Sequence, residues 1–115
     1  MIVRKAEVPP IHFGQLVIHD YTQGRESSSS LATIHVPPGA DHPPARSTRS
    51  DKYYYVLGGH VRFSLGRDDY DLMPGDFCFV AQGERFSYVN LSSESATLLL
   101  VHTPSFDLSA EVMEV

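Results

Sequence analysis

The sequence predicts an all-β domain, a barrel or sandwich of short strands. Short runs of β-branched and aromatic residues recur between turn formers, and eight prolines and eight glycines interrupt the chain. No run of ten or more residues repeats its apolar positions with helical spacing, so helices are expected to be few. At 115 residues the chain fits a single domain, residues 1–115, with a real hydrophobic core.

The elements follow from the sequence in order. The predicted strands are QLVIH, SLATIHV, KYYYVL, HVRFSL, YDLM, DFCFV, RFSYVN and ATLLLVH. The fourth and fifth are predicted to form a hairpin whose loop, rich in turn formers, is Gly66, Arg67, Asp68 and Asp69. The polar segment RESSSSL indicates a surface connection. The tail PSFDLSAEVMEV has spaced apolar residues, and we expect a short helix or strand there, packed on the barrel or on a partner subunit.

Composition and charge exclude several classes of partner. No apolar run approaches the roughly eighteen residues of a membrane span, so we expect no membrane partner. The net charge of −5 argues against a phosphate-binding surface, and nucleic acid is therefore not expected. The opening MIVRKAEVPP lacks the apolar stretch of a secretory signal, and the one cysteine, Cys78, cannot form an internal disulfide. Both observations favour the cytoplasm.

Two glycine-bounded motifs run through the middle of the chain without an insertion. The first consists of Gly39, Ala45, Arg46, Ser47, Lys52 and Gly59, and the second of Gly75, Ala81, Gln82, Gly83, Phe86 and Asn90. In this spacing, and in the flanking segments TIHVPPGA, DKYYYVLGG and LMPGDFCFV, the chain resembles the cupin superfamily over about residues 30–104. The resemblance implies a double-stranded β-helix, the jelly-roll barrel of cupins, with N-terminal strands and the C-terminal tail packed on it.

The resemblance also locates the positions that hold a divalent metal ion in many cupins. They are occupied here by Ala45, Ser47, Lys52 and Phe86, and a shorter gap in the first motif substitutes Arg46 and Thr48 for the histidines. None of these side chains is a normal ligand for such an ion, and a lysine would repel it. We therefore expect no metal and no cofactor. The plain alternative is that Lys52 lies at the barrel mouth and pairs with Asp51 or a neighbouring acid.

Alternation along the strand KYYYVL places Lys52 and Tyr54 on one face, which the resemblance makes the barrel interior, and turns Tyr53 and Tyr55 outward. A lysine beside apolar walls has a lowered pKa, which makes Lys52 a candidate general base or Schiff-base nucleophile. A tyrosine such as Tyr54 would supply the acid. Core packing is the commoner role of aromatic residues in strands.

Further residues are expected around a ligand in the barrel. His42 follows Gly39 in the usual ligand segment. His35 and His102 lie on predicted strands and could face the cavity, although a surface or satisfied core histidine is the commoner fate, and Cys78 is expected to be an inert apolar group. Arg46, Arg49 and Lys52 form the nearest approach to a basic cluster, suited to one small anion. The predicted substrate-binding residues are His42, Arg46, Ser47, Thr48, Phe86, Tyr88 and His102.

Three functions remain open at this point. The first is a metal-independent cupin enzyme that acts on a small organic molecule in the barrel by acid and base chemistry, as an isomerase, epimerase or cyclase. The second is a non-catalytic module that binds or senses a small ligand. The third is a metal-dependent oxygenase or isomerase with displaced ligands, for instance His42, His102 and Glu84. A homodimer is expected, because cupins commonly pair and because Tyr53 and Tyr55 leave apolar surface to cover.

Overall fold

The computed structural model describes residues 1–114, which form two antiparallel sheets. The strands are, in chain order, β1 (Ile11–Phe13), β2 (Leu16–Asp20), β3 (Ser30–Val36), β4 (Asp41–Ser47), β5 (Asp51–Gly58), β6 (Val61–Leu65), β7 (Asp68–Leu72), β8 (Phe77–Val80), β9 (Phe86–Val89), β10 (Ala96–Thr103) and β11 (Glu111–Met113). The helical structure of residues 1–114 consists of two 3-10 turns, Lys5–Glu7 and Leu108–Ala110. No helix in this part of the chain has the length and apolarity to cross a membrane.

The two sheets form the jelly roll that the sequence predicted. The first has six strands in the order β1-β2-β3-β10-β5-β8, and the second has five in the order β11-β4-β9-β6-β7. Every predicted strand forms, with small shifts at its ends. The predicted tail element is the turn Leu108–Ala110 followed by β11, which pairs with β4 of the same chain.

Two local predictions need correction. The hairpin loop consists of Gly66 and Arg67 only, because β7 begins at Asp68 and the side chain of Asp69 accepts a hydrogen bond from Ser64 directly opposite it on β6. The sequence also did not predict β4, since a strand rarely holds two prolines. Residues 43 and 44 lie where the register between β4 and β9 shifts, and at such a bulge the missing N–H groups remove no ladder bond.

Alternate residues of the strands fill the space between the sheets. Tyr54, Phe63, Phe86 and Tyr88 are fully buried there, and the ring of Phe63 stacks on the rings of Phe86 and Tyr88 with centroids 6.1 and 5.5 Å away. On the opposite face of β5, Tyr55 is 41% exposed, in agreement with the predicted alternation.

Two residues of the glycine-bounded motifs have structural roles. Gly59 has a φ of +74°, and a Cβ there would lie 2.5 Å from the carbonyl oxygen of Ser95, so only glycine fits. The side chain of Asn90 donates to the carbonyls of Val36 and Glu94 and accepts from the backbone N–H and the hydroxyl of Ser92. All of its hydrogen-bonding capacity is therefore used within the fold.

Candidate functional site

A cavity of about 500 Å³ lies between the two sheets. Its apolar wall comes from the hairpin of β1 and β2, from the inner faces of β3 and β10, and from the tail: Ile11, Phe13, Ile18, Ala32, Ile34, Leu100, Phe106, Leu108 and Met113. The polar groups that converge on it from both sheets include His42, Lys52, Tyr54, Tyr88, His102 and Glu111. The volume and the mixed lining are typical of a site for a small organic molecule.

The ammonium group of Lys52 is held by two side chains. Lys52 and His102 face each other across β5 and β10, and Nζ of Lys52 lies 2.9 Å from Nε2 of His102. Nζ also donates to Oε1 of Glu111, and the side chains of this ion pair are only 3% and 12% exposed. An ammonium can only donate, so Nε2 of His102 accepts and the ring of His102 carries its proton on Nδ1.

The pKa values of this group follow from its burial. Burial and the charge of Lys52 lower the pKa of His102 to about 3, so that its imidazole is neutral. Burial also lowers the pKa of Lys52, while the carboxylate of Glu111 opposes that shift. The ion pair with Glu111 thus favours the protonated form of Lys52, in which Nζ has no lone pair to act as a base or nucleophile.

Glu111 is the functional candidate that sequence reasoning missed. The alternative reading of Lys52 expected it to pair with Asp51 or a neighbouring acid at the barrel mouth, but Asp51 accepts from the backbone N–H of Gln82. The partner is delivered by the tail, because β11 sets Glu111 opposite Ser47 of β4 and beside the cavity. The only sequence signal was the spacing of apolar residues in the tail, which indicated packing but not which acid turns inward.

His42 is arranged as a neutral base. It lies on β4 just before the bulge, and its Nδ1 is 2.7 Å from the carbonyl oxygen of Pro43. A carbonyl only accepts, so Nδ1 carries the proton and Nε2 keeps its lone pair. Burial is the largest cause that lowers the pKa of His42, and the charge of Lys52 adds to it. The ring is wedged among Phe13, Phe86 and Tyr88, with centroids 5.2, 4.9 and 5.4 Å away.

Tyr54 and Tyr88 contribute hydroxyl groups that stay protonated. Burial raises the pKa of Tyr54 well above 10 and raises that of Tyr88 as well, so both hydroxyls remain hydrogen-bond donors at neutral pH. Within residues 1–114, the hydroxyl of Tyr88 is the buried side-chain polar atom that has no hydrogen-bond partner. Because such atoms are normally satisfied, this buried hydroxyl lacks the partner that a ligand or a water molecule would supply.

The structure corrects the placement of several predicted site residues. Arg46 is exposed because it lies on the outward phase of β4, and Thr48, which follows β4, is also exposed and donates to the carbonyl of Ala110. Ser47 is buried, but its hydroxyl accepts from the backbone N–H groups of Arg49 and Ser50 and does not line the cavity. Phe86 lies behind the wall, with its ring centroid 5.2 Å from Nζ of Lys52. Only His42, Lys52, Tyr54, Tyr88 and His102 of the predicted set line the cavity.

Three further residues that the sequence placed near a ligand lie outside the cavity. His35 is exposed on the outer face of β3. Arg49 is also exposed and its Nε donates to the carbonyl of Ser105, so Arg46 and Arg49 do not form a basic cluster with Lys52. The carboxylate of Glu84 accepts from the backbone N–H of Ala81, and Glu84 does not line the cavity with His42 and His102. Among residues 1–114, no group of three histidine, cysteine or acidic side chains is arranged to hold a metal ion.

The metal positions of the resemblance do not fit a divalent ion. Ala45 and Phe86 have no donor atom, the hydroxyl of Ser47 is used by the turn that follows β4, and Lys52 is a cation. On β8, which pairs with β5, Cys78 lies opposite Tyr54, is half-buried and packs against the core. Burial raises the pKa of its thiol to about 11, in agreement with an inert role.

Comparisons with known proteins agree with this fold. A family model described as "Cupin domain" matches residues 32–102. The structure of Pac13, described as a unique nucleoside dehydratase, is 20% identical with a TM-score of 0.86 and covers 99% of this chain and 90% of its own. A structure of Streptomyces Pac13 with uridine, in which one histidine is replaced by glutamine, is 20% identical with a TM-score of 0.84, covering 97% of this chain and 88% of its own.

Structures of two tyrosine-to-phenylalanine variants of Pac13 with uridine also match this fold. A protein of Thermotoga maritima described as a predicted oxalate decarboxylase is 23% identical with a TM-score of 0.79, covering 90% of this chain and 99% of its own. At these identities the similarity concerns the fold. No curated protein matches the chain.

Proposed function

The chain belongs to the cupin domain family, and from that premise we propose that it is an enzyme that moves a proton on a small uncharged organic molecule without a metal ion. One observation carries the proposal: a neutral His42 with a free Nε2 lines the same cavity as Tyr88, whose buried hydroxyl has no hydrogen-bond partner. A base and a donor that face one small volume are the minimum for acid and base catalysis.

The chemistry begins with removal of a proton. Nε2 of His42 takes a proton from a carbon next to a carbonyl group, and the electron pair moves onto the carbonyl oxygen. The hydroxyls of Tyr54 and Tyr88 can donate to that oxygen as its charge develops. Lys52 has three N–H groups, of which His102 and Glu111 accept two, so one donor remains for the ligand.

Two outcomes follow from the same intermediate. If the protonated His42 returns the proton to another carbon or to the other face, the reaction is an isomerisation or epimerisation. If the electron pair instead expels a hydroxyl group from the next carbon, and that group takes the proton from His42, the products are water and an alkene. The fold similarity to a nucleoside dehydratase studied with uridine makes nucleosides the first substrate class to test.

The charges of the cavity favour an uncharged substrate. The ammonium of Lys52 is matched by the carboxylate of Glu111, and Asp20 is a second acid on the lining. Among the described residues that line the cavity, Lys52 is the only lysine or arginine and is already paired with Glu111, and the pKa values of His42 and His102 are lowered, so little positive charge is left to balance a phosphate group. We expect a nucleoside to bind and the corresponding monophosphate to bind more weakly.

The test measures proton exchange directly. Uridine, other nucleosides and the aldehydes obtained by oxidising nucleosides are incubated with the protein in D₂O. Mass spectrometry then measures incorporation of deuterium and loss of water. We expect His42→Gln to slow exchange by about 10² to 10⁴, whereas His35→Gln, on an exposed histidine outside the cavity, leaves it unchanged. Equal exchange in both variants would remove His42 from the mechanism.

The non-catalytic alternative gives a different result. Calorimetry with the same compounds would then show binding by the wild type, with no exchange and no water loss for any of them. The largely apolar wall of the cavity suits this second function as well, because it would hold a flat ligand without reacting with it.

The homodimer and the cytoplasmic location stay predictions. The outer face of the six-stranded sheet supports the dimer, because Asp51 at the start of β5 is its one charged outward residue on β5, β8 and β10. The other large outward residues there are uncharged: Tyr53, Tyr55, Leu57, Phe77, Phe79, Leu99 and Val101. An acidic chain of net charge −5 repels its own copy, and this uncharged face is where a copy meets the least repulsion.

A further inference from the structure

The ammonium of Lys52 occupies a point on which two side chains of metal-binding type converge. Nε2 of His102 and Oε1 of Glu111 both contact Nζ, and both atoms are common ligands of divalent ions. Neither residue stands at a position where the cupin resemblance places a ligand. We propose that His102 and Glu111 form a cation site inside the barrel, that Lys52 is its resident cation, and that a divalent metal ion binds there once the ammonium is removed.

The strand register supports this site. Position 52 on β5 and His102 on β10 are direct partners, and both side chains point inward. Direct cross-strand partners have Cβ atoms about 5 Å apart, so an imidazole at position 52 would reach the same ion as the imidazole of His102. Glu111 comes from β11 in the facing sheet. Two imidazoles and one carboxylate on one side of an ion form a well-known metal-binding arrangement with open positions.

The surroundings of the ammonium group of Lys52 are suited to a cation. The side chains of Lys52 and Glu111 are almost fully buried, and the face of Phe86 lies 5.2 Å from Nζ. In the wild type the ammonium already uses the lone pair of His102 and one oxygen of Glu111. A metal ion would have to displace it and leave a buried charge without a partner, so the wild type should bind divalent ions weakly.

The experiment measures metal binding and needs no turnover. Protein without a histidine tag is titrated with Co²⁺, and binding is followed by calorimetry and by the visible absorption of the bound ion. We expect Lys52→His to bind Co²⁺ on the order of 100-fold more tightly than the wild type. Lys5→His is the matched control, because Lys5 is the other lysine of the chain and is exposed.

Two further variants identify the ligands. Adding Glu111→Gln or His102→Gln to Lys52→His should each weaken Co²⁺ binding by about 10-fold or more, because each removes one ligand atom. The proposal is overturned if folded Lys52→His binds no more tightly than Lys5→His, or if tight binding survives both ligand replacements. These outcomes are independent of the proposed acid and base reaction, since an inactive protein would bind the metal equally well.

Two measurements keep the proposal open to refutation if Lys52→His does not fold. Lys52→Ala leaves room for the ion with water in place of the third ligand, and it should still bind Co²⁺ more tightly than the wild type. In the wild type, with ¹⁵N-labelled lysine, the ammonium protons of Lys52 should exchange with water far more slowly than those of Lys5. Equally fast exchange at both lysines would show that the ammonium is not held in the site.

Discussion

Replacing Glu111 by glutamine tests whether the ion pair of Lys52 and Glu111 on the lining of the cavity is buried. Glu111→Gln keeps the size of the side chain and removes its charge, which leaves the ammonium of Lys52 without a counterion. Breaking a buried pair from one side costs about 3–5 kcal/mol in measured cases. Here Nε2 of His102 and the amide oxygen of the glutamine still accept hydrogen bonds, so we expect a smaller loss than in those cases, about 2–3 kcal/mol of unfolding free energy.

A double-mutant cycle separates the pair from the two single changes. Lys52→Met leaves the carboxylate of Glu111 beside the cavity, and at 12% exposure it can gain water. We expect Lys52→Met to cost about 1–2 kcal/mol and the double variant to cost clearly less than the sum, with a coupling of about 2 kcal/mol. The reason is that two neutral side chains leave no charge unpaired in the interior.

Urea unfolding followed by circular dichroism and tyrosine fluorescence provides the free energies, since the chain has no tryptophan. The control is Glu114→Gln, which breaks the exposed pair of Glu114 with Arg85, whose side chains are 43% and 44% exposed. That change should cost less than about 1 kcal/mol. If Glu111→Gln costs no more than this control and the cycle is additive, the pair is solvated and is not a buried ion pair of the cavity.

Three shorter predictions follow. Because the pKa of His102 is lowered from 6.5 to about 3, the unfolded chain takes up a proton there first, and stability should fall as the pH drops from 6.5 towards 3, by up to about 5 kcal/mol. In His102→Gln the midpoint of urea unfolding should depend less on pH, and an unchanged dependence would contradict the prediction. Tyr88→Phe should leave the melting temperature the same or higher but weaken uridine binding about tenfold, whereas a loss above about 1 kcal/mol would mean the hydroxyl is satisfied in the fold. Phe79→Lys should convert a dimer to a monomer in light scattering, and Tyr70→Lys, on the exposed face of β7, should not; a wild type that is already monomeric would refute the dimer.

The fold was predictable because its signals are local. Alternation of apolar and polar residues identified the strands, and the glycine spacing identified the corners between them. β4 was missed because the sequence DHPPARS contains two prolines, and their acceptability depends on a register shift against β9 that no local pattern shows. The same bulge separates His42, which faces the cavity, from Arg46 and Thr48, which do not.

Residues of the site were predictable only where the alternation of a strand decides whether a side chain points into the barrel. Lys52, Tyr54 and Tyr88 lie inside because the barrel interior sets the phase of β5 and β9. Glu111 could not be found in this way, since a 3-10 turn precedes β11 and breaks the phase of the tail. The proton position on His42 was equally hidden, because it depends on the direction of one backbone carbonyl, that of Pro43.

A lysine at the centre of the cavity restricts the chemistry more than its charge alone suggests. A bound metal ion exchanges its ligands, whereas the ammonium of Lys52 is attached to β5 and has two of its three N–H groups occupied by His102 and Glu111. Its remaining donor can serve one oxygen atom, in a direction set by the other two bonds. The unpartnered hydroxyl of Tyr88 is a second donor, and Nε2 of His42, which keeps its lone pair, is the proposed base. Fixed donors that need no rearrangement stabilise a developing oxyanion best, and this is the physical basis of the proposal that the protein abstracts a proton beside a carbonyl group.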